Sequence, residues 1–480
     1  MNKRKFYISC CCCFVFLCGS TFCLEPVSTS DLLMSYLEND NALKNNAIEA
    51  QKAQLALDST EISNGFDISL STGDISVKVN GSNTSVSMKP SVKAAIPQAS
   101  NLNFSAGSDF TFSSAGAQVK DTKLNAAVDI ISTAGLSREI SLLKAQRNLT
   151  EATRKLRNQA INTEKNFYSE LKSLLNSTNS LINSEKTLYT NKIDFEKIKA
   201  QGYSSGSSTY RLAQMKVLST EHDIENAKRA LIHDYASFYK KCGYDISIED
   251  SASFYDLIPS DITAIDPVDI KEFSADLYSE VESAVWTHNI NNMQRKVKTN
   301  FTLSANSGVT LFKNDGTSVD AGLSSSYNGL NLGVGVSIPL SKSPVPEFSL
   351  SASFSPNTVK QNSITEQTNY LNEKQELLAI ETAYTNYENK VSELEQDLKD
   401  LLWNQKSDEE SLQMYQSLEK DLAKWYREGF VTESEYYSAK VNTQSYTVKK
   451  IINAIDLIIY NDNIVTMFVE DIQKIQEEVN

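Results

Sequence analysis

Residues 357–428 read NTVKQNSITEQTNYLNEKQELLAIETAYTNYENKVSELEQDLKDLLWNQKSDEESLQMYQSLEKDLAKWYRE, without a glycine or a proline. Since proline costs about 3 kcal/mol and glycine about 1 kcal/mol inside a helix, this run predicts one helix of roughly 100 Å. Residues 136–201 form a second run of this kind. Each run is followed, after Gly202 and Gly206 or after Gly429, by a shorter run without breakers. The pattern predicts two long helical hairpins, each with a glycine turn.

Apolar residues in both hairpins recur at steps of three and four, the spacing of a coiled coil. In the second hairpin they are Leu377, Ile380, Tyr384, Tyr387, Val391, Leu394, Leu398 and Leu401. In the first hairpin they are Phe167, Leu171, Leu174, Leu181, Leu188 and Phe195, interrupted by Thr178, Glu185 and Lys192. We expect helices that pack on neighbouring helices along one side and meet water along another.

The segments that precede each hairpin alternate with a period of two. Apolar residues alternate with small polar ones from Phe66 to Val79, with a register flip near Gly73, and again over 102–112 and 124–130. The second half repeats this alternation over 301–311, 330–340 and 348–354. A strand with one apolar face and one small, polar face is typical of membrane β-strands.

The two halves repeat one plan: amphipathic helix, alternating strands, long helix, glycine turn, long helix. The turns align as Tyr203–Gly206 with Tyr426–Gly429, where a Tyr precedes a Gly at the same spacing. A shorter helix is expected from Glu272 to Trp286. The predicted segments are a signal peptide (1–23), N-terminal periplasmic helices (24–64), first β-barrel strands with an extracellular loop (65–132), the first hairpin (133–242), a connector (243–299), second strands with a loop (300–357), the second hairpin (358–470) and a polar tail (471–480).

A few strands per half cannot close a barrel alone, and an open sheet edge cannot face lipid because its unpaired N–H and C=O groups are costly there. Several copies must therefore share one barrel, and their hairpins would close a helical tube beside it. The predicted fold class is an internally duplicated α+β membrane protein, in which long coiled-coil hairpins form an α-barrel and the strands form a shared transmembrane β-barrel.

The charge balance and the rarity of catalytic residue types argue against two classes of function. With 46 Lys and Arg against 60 Asp and Glu, the net charge is −14, which disfavours a nucleic-acid binder. The three histidines, His222, His233 and His288, have no metal-ligand spacing, and Cys242 has no neighbour that suggests a nucleophile. We expect no enzyme, no cofactor and no metal site.

The segment 1–23 carries six of the seven cysteines, behind Lys3, Arg4 and Lys5. The apolar stretch 6–17 is shorter than the roughly 20 residues that a membrane-spanning helix needs, so it predicts a cleaved export signal. Cleavage near Ser20 or Cys23 is expected, and acylation of Cys18 or Cys23, as in a bacterial lipoprotein, stays open.

Residues 426–440, YREGFVTESEYYSAK, resemble the periplasmic turn of the TolC-type outer-membrane efflux channels. In that pattern a Tyr stands three before a Gly, an acid six after it and an Ala ten after it. Tyr426, Gly429, Glu435 and Ala439 fill these places. The first copy keeps Tyr203 and Gly206 without the acid, and residues 30–57 resemble the family's amino-terminal helix. The resemblance extends over about residues 31–468.

This resemblance implies a homotrimer in the outer membrane that extends into the periplasm, each copy giving four strands to a twelve-stranded barrel and four helices to a twelve-helix tunnel. Each half offers more alternating segments than two strands require, and we interpret the surplus as extracellular hairpins. The implied partners are outer-membrane lipid, a periplasmic adaptor protein and an inner-membrane transporter that supplies the energy.

The resemblance also implies roles for single residues at the two turns. Tyr426 and Glu435 would form the periplasmic gate, with Glu435 in a ring of acids that attracts cations. Relatives can carry a latch Arg where this chain has Val431, so Arg427 is the candidate substitute. The adaptor-docking residues would be Tyr203, Gly206, Gly429, Phe430 and Val431.

Simpler interpretations remain beside these. Tyr426 is equally compatible with a packing residue at a helix end, and Glu435 with a solvated helix charge. An exported coiled-coil surface adhesin would also explain the heptads and the acidic charge, but not the duplication. A lipoprotein that forms the duct without a dedicated pump is the third alternative.

Overall fold

The computed structural model describes residues 28–80, 83–245, 254–259, 261–297, 301–312, 316–340 and 345–469. The predicted signal peptide and polar tail lie outside these residues. The helices are α1 (Thr29–Asn39), α2 (Asn41–Ser63), α3 (Ala134–Ala200), α4 (Ser208–Lys241), α5 (Ser279–Val297), α6 (Pro356–Arg427) and α7 (Glu433–Met467). The strands are β1 (Asp67–Ser71), β2 (Ser76–Asn80), β3 (Asn83–Met88), β4 (Ser91–Ile96), β5 (Leu102–Ser113), β6 (Gly116–Ile131), β7 (Phe301–Phe312), β8 (Gly316–Tyr327), β9 (Leu330–Pro339) and β10 (Glu347–Phe354).

Contacts divide the described chain into two compact units. One, here called the turn unit, comprises the described residues up to Asn39 with Glu170–Thr263 and Ser411–Ile452. The other, the sheet unit, comprises Asp40–Ser169, Ala264–Glu410 and the described residues from Asn453.

All ten strands of the sheet unit belong to one antiparallel sheet. β1 and β2 are two segments of one span: β1 pairs with β4, and β2 pairs with β3. β3 and β4 are likewise one span, since both pair with β5. The sheet is therefore a meander of eight spans in chain order: β1–β2, β3–β4, and then β5 to β10 singly.

This meander includes the surplus segments. They were expected to form extracellular hairpins beside four membrane strands per copy. In the structure every alternating segment pairs edge to edge with its neighbour in one sheet, because each has the same period and a continuous hydrogen-bonding ladder. Each half supplies four spans to this sheet.

The register flip expected near Gly73 lies between β1 and β2. Leu70 pairs with Val92, and Val77 pairs with Val86. An advance of seven residues along the first span is therefore matched by only six along the second. One extra residue is a β-bulge, which keeps the apolar residues on one face across the interruption. Gly73 has φ +62°, and a Cβ there would lie 2.2 Å from the Lys89 carbonyl oxygen, so the bulge requires glycine.

The helical part of the sheet unit has its own apolar core. It is formed by Ile270, Tyr278, Val281, Ala383, Leu394, Tyr460, Ile464 and Phe468. Leu394 of the predicted heptad series lies in this core, and Tyr384, Tyr387, Val391, Leu398 and Leu401 of the same series pack against it. Leu377 is half exposed.

In the turn unit, buried residues of α3, α4 and α7 form the interior. They include Leu174, Leu175, Leu181, Ile224, Leu231, Val441 and Val448. Thr178, expected as a polar interruption, is fully buried, and its hydroxyl lies 3.2 Å from that of Tyr235.

The connector helix differs from its prediction. It was expected from Glu272 to Trp286, but α5 begins at Ser279 and ends at Val297. Residues 270–272 and 275–277 are single 3₁₀ turns, and Tyr278 is extended and pairs with Phe468. This bridge to another segment replaces the helical hydrogen bonds that residues before 279 would have made.

Candidate functional site

The second turn, residues 428–432, ends α6 with a left-handed glycine. Gly429 has φ +77°, its N–H donates to the Tyr426 carbonyl (3.1 Å) and the Phe430 N–H donates to the Trp425 carbonyl (2.9 Å). These bonds satisfy carbonyl groups that the end of a helix leaves without a partner. The backbone is thus fixed while the Phe430 side chain stays 76% exposed.

Helix α7 begins with a capping box made by Thr432 and Glu435. The Glu435 carboxylate accepts from the Thr432 N–H and from its hydroxyl (both 2.8 Å), and the Thr432 hydroxyl accepts from the Glu435 N–H (3.3 Å). The hydrogen bonds from Thr432 lower the pKa of Glu435. The sequence analysis missed this role, although the T-x-x-E spacing of residues 432–435 is its ordinary signal.

The aromatic and basic residues of the second turn contact neighbours within the turn unit. The ring of Tyr426 stacks on Tyr436 at 5.7 Å between centroids, with 12° between the planes. The Arg427 Nε donates to the Ala423 carbonyl (3.1 Å), a local bond along α6. Tyr426 packs in this stack and remains 40% exposed.

The first turn, residues 201–207, has a different geometry from the predicted alignment. The left-handed glycine that ends α3 is Gly202, with φ +79°, whose N–H donates to the Lys199 carbonyl (3.0 Å). Gly206 precedes the N-cap Ser207 and does not have a left-handed φ. By conformation Gly429 therefore corresponds to Gly202 rather than Gly206. Tyr203 is about half exposed in this turn.

The sheet has one apolar face that continues through all eight spans. Cross-strand partners point to the same side of a sheet, so the register defines rows that share a face. One row over all eight spans is Ile68, Ala94, Phe104, Ala126, Ser307, Ala321, Val336 and Phe348. A neighbouring row over the first seven spans is Leu70, Val92, Ala106, Leu124, Val309, Val319 and Ile338.

The opposite face is polar along its whole width. The row between those two is Ser69, Lys93, Ser105, Asn125, Gly308, Asp320, Ser337 and Glu347. The Asn125 amide donates to the Ser105 hydroxyl (3.3 Å) on this face. Large apolar residues of the first face are exposed to the surroundings, up to 82% for Phe348. The sheet thus has one largely apolar face and one polar face.

Two ion-pair clusters in the sheet unit were not predicted. Glu376 of α6 accepts from both Arg295 Nη atoms (2.8 and 3.0 Å), from Asn291 (2.9 Å) and from His288 Nδ1 (3.0 Å). The Arg295 guanidinium is the main cause that lowers the pKa of Glu376 to about 2. A sequence pattern cannot reveal this cluster, because four strands separate α5 from α6 along the chain.

The second cluster joins α3 to α5. Arg147 and Arg154 both donate to the Glu282 carboxylate, and Arg147 also lies over the Trp286 ring, 5.0 Å from its centroid. Hydrogen bonds from the two arginines lower the pKa of Glu282 against the opposing effect of its burial. Both clusters link neighbouring helices through ion pairs.

Across the parts of the chain that the structure describes, no helix combines the length and apolar character that a membrane crossing requires. The same residues hold no group of three or more His, Cys, Asp or Glu side chains that could bind a metal ion.

The N-terminal domain of TP096X matches residues 32–262, and the C-terminal domain of TP096X matches residues 264–471. No curated protein matches the sequence.

Among solved structures, the chain is similar to the outer membrane protein VceC from Vibrio cholerae, at 11% identity over 92% of this chain and 96% of that one, with a TM-score of 0.49. It is also similar to the CmeC outer membrane channel of Campylobacter jejuni, at 14% identity over 94% of this chain and 88% of that one, with a TM-score of 0.45.

Proposed function

We propose that this chain, in which the two domains of TP096X match residues 32–262 and 264–471, is the outer-membrane exit duct of a tripartite efflux or secretion system. The observation that carries the proposal is the sheet, whose apolar face extends across eight spans, with Ser307 as the polar member of one row, opposite a polar face. That division suits a barrel wall with lipid outside and water inside.

The sheet edges favour a barrel shared between copies. Within the described sheet, β1 and β2 pair on one side only, and so does β10. In lipid each unpaired backbone group costs several kcal/mol, so these edges must pair with something. We assign them to further copies of the chain in a homotrimer, whose long hairpins would together form the periplasmic tunnel.

Conduction would be passive, with no chemistry performed on the substrate. A periplasmic adaptor and an inner-membrane transporter would supply the opening and the energy. Tyr426, Arg427 and Glu435 are the proposed gate residues, and Glu435 can serve both there and in its cap because its carboxylate is exposed. Tyr203, Gly206, Gly429, Phe430 and Val431 are the proposed adaptor contacts.

The first experiment is negative-stain imaging of mature protein extracted from membranes in detergent. A hollow particle with threefold symmetry is the expected result, since only a shared barrel and tunnel would produce it. Thin solid rods or compact monomers would instead favour the coiled-coil surface adhesin and remove every pore residue named above.

The adaptor contact is tested separately at Phe430, which is exposed and contributes little to the fold. Phe430→Ser should abolish site-specific cross-linking between the turn and the cognate adaptor while the trimer remains intact. Met414→Ser is the matched control, because Met414 is similarly exposed (73%) on α6 outside the turn. Equal cross-linking of both variants would exclude Phe430 from the docking surface.

A further inference from the structure

We infer that all eight spans of the sheet cross the membrane, so that each copy contributes eight strands to the barrel instead of four. The inference rests on the proposed function and changes the size of the pore. Eight strands from each of three copies make 24, and barrels of 16–18 strands already enclose an aqueous channel.

In the first half, the turn between β4 and β5 shows at which end of the sheet these two strands are joined. Arg138, in the first turns of α3, donates to the Asn101 side chain and to the Pro97 carbonyl. Asp129, near the end of β6, donates its N–H to the Ser100 carbonyl (2.9 Å) and accepts from the Asn101 amide (2.8 Å). The turn at 97–101 therefore lies at the helix end of the sheet.

The second half repeats this arrangement between β8 and β9. Asn328 and Gly329 have φ +43° and +84°, as a two-residue hairpin turn requires. The Asn362 amide of α6 donates to the Asn328 side chain (2.8 Å), and the Ser355 N–H donates to the Gly329 carbonyl (2.9 Å). This turn also lies where the sheet meets its helix. If β8 and β9 formed an extracellular hairpin, the turn that joins them would lie at the opposite end of the sheet, away from the helices.

Span length agrees with a full crossing. A transmembrane β-strand needs about 9–11 residues. Five of the six single-strand spans have 10 to 16 residues, and β10 falls short with 8. Both interrupted spans, 67–80 and 83–96, reach the same end of the sheet as β5 and β6. The apolar rows include the added spans without a gap, through Ala94 and Phe104 in one half and Ala321 and Val336 in the other. Strands in an aqueous loop would have no reason to carry that face.

Cysteine labelling in cells tests the inference directly. In a Cys242→Ala background, Gln98→Cys marks the inner turn, and Ala115→Cys marks the turn between β5 and β6 at the other end of the sheet. Both residues are exposed. We expect a membrane-impermeant maleimide to label residue 115 in intact cells, and residue 98 only after the outer membrane is permeabilised. Ala99→Cys repeats the measurement should Gln98→Cys fail to assemble.

Each alternative outcome has a distinct meaning. Labelling of residues 98 and 115 alike in intact cells would place β4 and β5 outside the membrane and overturn the eight-strand count, while the channel itself would stand. Absence of label at residue 115 in intact cells, with label after permeabilisation, would reject the outer-membrane placement and with it the proposed function.

Discussion

A lysine at Leu124 should prevent stable insertion of the sheet, whereas a lysine at the adjacent Asn125 should not. Both residues lie in the middle of β6, and their side chains occupy opposite faces. Leu124 belongs to the apolar row, between Ala106 and Val309, whereas Asn125 belongs to the polar row. A Lys on the lipid face near the bilayer midplane costs about 2–4 kcal/mol. That is roughly a 30- to 900-fold change in the insertion equilibrium for each copy.

The assay is fractionation of outer membranes, followed by gel electrophoresis with and without heating to separate assembled from dissociated protein. Leu124→Lys should leave little assembled protein, and Asn125→Lys should match the parent, since Lys93 and Lys123 already lie on the polar face. Equal assembly of both variants would show that the face assigned to lipid meets water. Assembly of Leu124→Lys together with failure of Asn125→Lys would show that the lipid and water faces are the opposite of those assigned.

Three further predictions concern the helical regions. Because Arg295 lowers the pKa of Glu376 to about 2, the ionised carboxylate stabilises the fold above its unfolded pKa, and this contribution is lost as pH falls from about 5 towards 2. Glu376→Gln should thus lower stability at pH 7 by at most about 3 kcal/mol and converge with the parent near pH 2, as measured by thermal denaturation. Glu435→Gln should reduce cation preference and weaken block by multivalent cations in planar bilayers, whereas Thr432→Ala, which removes the cap and keeps the charge, should not. Unchanged selectivity would remove Glu435 from the constriction. Burial raises the pKa of Cys242 to about 12, so thiol reagents should label it at pH 7 only after unfolding; labelling of the folded protein would contradict its buried position.

Local sequence patterns were sufficient for the elements of this fold. The breaker-free runs correspond to α3 and α6, which end next to Gly202 and Gly429. The alternating segments are strands, and the flip near Gly73 is a bulge. The expected helix at 272–286 began too early because Tyr278 pairs with Phe468, which follows α7 near the far end of the described chain.

Strand pairing could not be predicted in the same way. Period two shows that a segment is a strand with two unlike faces, but it does not show which strand lies beside it. The hairpin between β4 and β5 depends on Arg138 reaching Pro97 and Asn101 from a helix that begins only after β5 and β6. Such contacts are long-range, so the pairing of all these segments in one sheet could not be predicted from their period alone.

The two turns are not equivalent, although the chain repeats. At the first, the residue three after the N-cap Ser207 is Tyr210, whose ring packs against Phe195 at 5.1 Å. At the second, the residue three after Thr432 is Glu435, which closes the capping box. Only one of the two helix starts therefore combines a cap with a carboxylate. In the proposed trimer, a ring of acids would therefore form at the second turn, where Glu428 and Glu433 also lie. Glu435 is the member of that ring whose carboxylate is held by its helix cap.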